Sequence, residues 1–155
     1  MEIRAEFVNP FIEGASLVFK DVLQMDLIRG KLRVKDTSTP SFEVAIVIGV
    51  VGSYKGEVVY SMNLDAAYKI AKTLAPSLDD ESIKDEYKDI IGEIGNMTTG
   101  NAITIFASGG RPIDITTPTI IETNENTSIK FSKATTLSLL LYSKFGQIEI
   151  NIAIL

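Results

Sequence analysis

Glu93-Ile94-Gly95-Asn96-Met97-Thr98-Thr99-Gly100-Asn101-Ala102 has the spacing of a helix interior but an odd supply of glycine. With Gly92 included, three glycines surround an acid and a carboxamide three positions apart. Each glycine costs a helix about 1 kcal/mol relative to alanine, so packing alone would not select them. At about 100° per residue, Ile90, Ile91, Ile94, Met97, Asn101 and Ile105 fall within roughly a third of the circumference and are expected to face a core. Asp89, Glu93, Asn96 and Gly100 cluster on another arc, centred about 110–130° away by the same spacing. Positions i and i+3 are neighbours on a helix surface, so Glu93 and Asn96 can act on one object. Gly92 and Gly100 flank the pair with little bulk, which leaves room for another protein to approach.

Outward from this run, the spacing predicts a long helix from Ser82, paired with Asp85 as a cap, to about Ala107, ended by Gly109-Gly110-Arg111-Pro112. Upstream, Asn9 as cap and Pro10 at the first helical position predict a helix to about Gln24 that buries Phe11, Ala15, Val18, Phe19, Val22 and Met25. A strand follows over 27–36 and a turn over Thr37–Pro40. The apolar run Val44–Val51 reads as a strand buried on both faces. Gly52–Gly56 turns into a strand over 57–62, Asn63 caps a helix from Leu64 to about Leu74, and Pro76 stops it. Ser77–Glu81 is an acidic connection. Strands are expected at about 115–123, 128–142 and 146–154, with a turn at 124–126. Two stretches, 9–62 and 82–155, share one layout of helix, strand, strand, hairpin and strand. In the first, Glu13-Gly14-Ala15-Ser16 fills the slot of Glu93–Asn96. The expected fold is therefore a single α+β domain. Its antiparallel, pseudo-duplicated sheet has about six strands, with two long helices on one face and a shorter connecting helix.

The chain has 155 residues, 45 % of them hydrophobic and 23 % charged, enough for a sizeable core. Its net charge of −5 argues against nucleic acid, where a basic footprint supplies most of the affinity, and against an anionic membrane surface. The opening residues lack the basic start and apolar block of a signal peptide, and Val44–Val51 is too short to span a bilayer. With no cysteine, a reducing cytoplasm is the expected compartment. The absence of both Cys and His removes thiol nucleophiles, histidine bases and the usual zinc sites, and there is no phosphate-binding G-x-x-x-x-G-K-[ST] loop. Asp79-Asp80-Glu81 is better read as a solvated acidic run than as a metal site. Gly109-Gly110-Arg111 is better read as a turn than as a phosphate contact.

What remains is a carboxylate and an amide. A carboxamide can hold a water and aim its lone pair, as the glutamine of small GTPases does, but it takes no proton with useful driving force near neutral pH. It suits a substrate with a good leaving group, for which positioning supplies most of the acceleration. An acyl phosphate, which expels a carboxylate, is such a substrate. The acid can add a charge-assisted pair with a cation beside the phosphoryl group.

The run 93–102 resembles the signature helix of the CheC/CheX/FliY chemotaxis phosphatases, and Asn9-Pro10-Phe11-Ile12-Glu13 with one intact E-x-x-N is similar to the CheX branch. The resemblance implies dephosphorylation of a phosphorylated CheY-type response regulator. It gives Asn96 the role of orienting water and Glu93 that of pairing with the regulator's lysine; Asp89, Gly92 and Gly100, placed around the pair by helix spacing, are the expected partner-binding residues. It also implies magnesium supplied by the regulator, no metal site or cofactor on this chain, and a homodimer formed through the sheets. Ser16 stands where a second active helix would carry Asn. The alternative is a non-catalytic regulator-binding or flagellar-switch adaptor on the same fold; the intact Glu93 and Asn96 favour the enzyme.

Overall fold

The computed structural model describes residues 5–124 and 131–154. In chain order they form α1 (Ala5–Asp21), β1 (Ile28–Lys35), β2 (Val44–Gly52), β3 (Gly56–Met62), α2 (Leu64–Leu74), α3 (Asp80–Ser108), β4 (Ile113–Ile115), β5 (Thr119–Glu122), β6 (Thr136–Ser143) and β7 (Gly146–Ile154). All strand pairs are antiparallel and belong to one sheet of order β1-β6-β7-β3-β2-β4, with β5 also on β2. Exchanging β1, β2 and β3 for β4/β5, β6 and β7 leaves this order unchanged, with the centre of the sheet at the β3–β7 ladder, where Val59 faces Asn151. The sheet has seven strands instead of six because Pro118, which cannot donate to a ladder, interrupts the single strand expected at 115–123. Across the break, Gly49 N donates to Thr116 Oγ1 at 2.9 Å and Thr116 N to Gly49 O at 3.0 Å, so both pieces stay on the edge of β2.

Several boundaries differ from expectation for local reasons. The first helix begins before Asn9, and Pro10 lies inside it. Val8, 1 % exposed, packs the turn ahead of the proline, and Glu6 pairs with Arg111 at 2.8 Å. At the other end Gln24 adopts φ 54° and Met25 N bonds Phe19 O at 3.0 Å. This left-handed termination turns Leu23 and Met25 inward and leaves Val22 exposed, contrary to its expected burial. Asp79, rather than Ser82, caps α3: its carboxylate accepts from Ser82 N at 2.8 Å. That backbone bond holds the Asp79 carboxyl below its ordinary pKa. Asn63 occupies the cap position of α2 without a side-chain bond; Glu43 Oε1 takes Leu64 N instead. The strand expected over 128–142 starts only at Thr136, and its first three positions, like most of the turn at 124–126, lie outside the described residues.

One core holds the molecule together, with Phe11, Val18 and Phe19 of α1 and Ile91, Ile94 and Phe106 of α3 against Ile46, Ile48, Leu139 and Ile150 of the sheet. The opposite face of the sheet carries a small apolar group, Ala45, Val59 and Ile121, beside a polar cluster around Glu149. That carboxylate is 2 % exposed. It accepts hydrogen bonds from Ser41, Ser61, Ser138, Arg33 and Asn151 and lies 3.6 Å from Lys35 Nζ.

Candidate functional site: an exposed acid–amide pair on the long helix

The middle of α3 is held low against the sheet by residues that have almost no side chain. A Cβ on Gly95 would lie 2.8 Å from Ile46 Cγ2, and one on Gly92 would lie 3.0 Å from Ile120 Cδ1. Between the helices, a Cβ on Gly14 would meet Thr98 O at 2.6 Å. Thr99 Oγ1 and Tyr60 Oη are 2.7 Å apart, tying the same turn to β3, and burial pushes the Tyr60 phenol pKa up. The buried arc of α3 therefore runs through Ile91, Gly92, Ile94, Gly95, Thr98, Thr99 and Ala102. It is rotated from the expected one: Ile90, Met97, Asn101 and Ile105 are only partly buried. Close approach favours small residues over large apolar ones, and hydrophobicity alone does not show this.

Glu93 and Asp89 are exposed, and Asn96 and Gly100 are partly exposed, on the arc that looks away from the sheet. Among the described residues, neither the Glu93 carboxylate nor the Asn96 carboxamide has a hydrogen-bond or ion-pair partner. Both are left for an external group. Gly100 has nothing within 4 Å of where its Cβ would stand. Gly92 does not match the expectation of bare surface: it is buried, and its missing side chain makes room for Ile120 instead of a visitor. On α1, Glu13 is exposed and Ser16 partly so, with a hydroxyl in place of the carboxamide.

Among the described residues no group of three or more His, Cys, Asp or Glu is arranged to hold a metal, and no helix is long and apolar enough to cross a membrane. Asp79, Asp80 and Glu81 form the cap and first turn of α3, where acids complement the helix dipole. Arg111 follows the Gly109-Gly110 turn and donates to Glu6 and to Tyr54 Oη. Helical spacing predicts Asn101 in the core; the fold instead puts it in a groove with Leu17, Val22, Met97 and Gly100. No sequence signal marked that groove, because it exists only where α1 and α3 meet.

An antiparallel sheet of this order carrying two long helices is the fold of CheC-like superfamily structures, among them one from Shewanella that is 27 % identical, with a TM-score of 0.83 over 99 % of each chain. The family model for the chemotaxis phosphatase CheX matches residues 44–140, and the chain belongs to the CheX family. The CheY-P phosphatase CheX of Thermotoga maritima is 27 % identical over 117 residues, 76 % of each chain. The chemotaxis protein CheX of Vibrio vulnificus is 28 % identical and superposes with a TM-score of 0.82, over 97 % of this chain and 100 % of that one. The CheX–CheY–BeF3–Mg2+ complex from Borrelia burgdorferi contains a chain 30 % identical, with a TM-score of 0.76 over 97 % and 99 %.

Proposed function

We propose that this chain accelerates hydrolysis of the aspartyl phosphate on a CheY-type response regulator. The observation that carries this reading is the Glu93–Asn96 pair, without partners among the described residues and facing outward from a helix seated by inward glycines. Docked against a receiver domain, the Asn96 carboxamide holds a water in line with the P–O bond to the aspartyl group. The water oxygen bonds to phosphorus, that P–O bond breaks, the aspartate leaves as carboxylate, and the water's proton passes to solvent or to the phosphate released. Because the leaving group is already good, positioning is the main contribution. Glu93 forms a charge-assisted pair with the regulator's lysine and fixes the register of the two proteins. Asp89 and Gly100 lie on the contact surface, and the magnesium belongs to the regulator. The relative captured with CheY supports this reading. The remaining elements of the proposal are a single domain of two pseudo-symmetric halves, homodimerisation through the sheets and a cytoplasmic setting.

The test is decay of the phosphorylated regulator with and without the protein. Asn96→Ala should lower the stimulated rate by about 100-fold or more while leaving regulator binding nearly unchanged; Glu93→Ala should weaken both. Full activity in Asn96→Ala would falsify the water-positioning role. Binding without any acceleration by the unaltered protein would make the chain an adaptor.

A further inference from the structure

Beside the acid–amide pair, the C-terminal end of α1 with Val22 and the middle of α3 line a groove of about 400 Å³. One wall is apolar and exposed: Leu17 is 50 % and Val22 40 % accessible. The other is formed by Met97, Gly100 and Asn101 of α3. Met97 is one turn from Glu93, and Gly100 one turn from Asn96, so groove and pair form one continuous surface. The Asn101 carboxamide is partly buried and makes no hydrogen bond among the described residues. Asp21 stands at the rim, and like Glu93 it has no ion-pair partner among the described residues. A groove with an apolar wall, one open amide and an acidic rim fits a protein surface that offers an apolar side chain, an unpaired backbone group and a nearby cation.

We infer that this groove is a second contact for the receiver domain, with Leu17 and Val22 gripping its apolar side chain and Asn101 bonding its backbone, and so sets which regulator is accepted. The inference rests on the function proposed above. A receiver held over Glu93 and Asn96 crosses Gly100, where no side chain stands in the way, and meets Leu17 and Val22 next. The groove contributes affinity and register, not chemistry.

The experiment measures steady-state dephosphorylation of the CheY-type receiver of the same organism, phosphorylated with acetyl phosphate, by the full chain. Leu17→Lys, Val22→Lys and Asn101→Ala should each raise KM for the phosphorylated receiver about tenfold and leave kcat within about twofold, because the loss is of uniform binding. Asn96→Ala should do the reverse. Thr73→Lys, at an exposed site on α2, should change neither. Leu17 and Val22 are already exposed, so their lysine variants should melt within a few degrees of the parent. Unchanged KM in all three groove variants, with Asn96→Ala inactive, overturns the groove contact alone. An active Asn96→Ala overturns the reading of the site itself. If Leu17→Lys leaves KM unchanged but halves the mass in sedimentation, the groove takes a second copy of this chain and the inference fails.

Discussion

Gly95 and Gly100 sit five positions apart in one helix and do opposite work. Gly95 lets α3 approach Ile46, where a Cβ would lie 2.8 Å from a methyl on a branched strand residue that cannot swing aside. Gly100 faces open space. Gly95→Ala should therefore lose about 1–2 kcal/mol, overpacking outweighing the better helix propensity. Gly100→Ala should gain about 0.5–1 kcal/mol from propensity alone. Urea denaturation of the two variants checks both signs, and equal shifts would show that α3 is not pressed against the sheet at Gly95. The outward arc of Asp89, Glu93 and Asn96 was legible from residue spacing, because polar side chains report their own exposure. Gly92 was not legible. Glycine carries no polarity to read, and only Ile120, brought in by a distant strand, shows which side it faces.

The two long helices were likewise visible as amphipathic stretches, yet their ends and their spacing depend on partners elsewhere in the chain. Pro10 looked like a helix start, but Val8 and the Glu6–Arg111 pair extend α1 ahead of it. Val22 looked like core until the left-handed Gln24 turned the chain. The separation of α1 from α3 is set at Gly14, whose Cβ would come within 2.6 Å of Thr98 O and 3.3 Å of Asn101 Cβ. Backbone cannot give way as a side chain can. Gly14→Ala should cost about 1–3 kcal/mol and push the helices apart, which thermal or urea unfolding will register. A stability unchanged from the parent would mean that the helix pair tolerates a wider spacing.

The buried carboxylate of Glu149 joins β7 to β1, β3, β6 and the segment at Ser41 across the helix-free face. Burial alone would push its pKa up; the bonds from Ser41, the charge of Lys35 and the bond from Ser61 outweigh it and hold the group below its ordinary value. The stabilisation is therefore fully present above about pH 4.3, the ordinary glutamate value. It is lost as pH falls through the lowered native pKa. Glu149→Ala should cost about 2–3 kcal/mol at pH 7, less than a fully buried pair because Arg33 remains half-exposed. The gap between variant and parent should narrow at pH 3; a gap that persists there would show that shape, not charge, makes the contribution. By itself the amino-acid sequence determined the α+β class, the long helices and the outward acid–amide pair, since periodicity and polarity are local properties. The tertiary structure alone decided the seven-strand order, the inward role of Gly92 and Gly95, the groove at Asn101 and the Glu149 cluster, since each arises where segments far apart in the chain come into van der Waals or hydrogen-bonding contact.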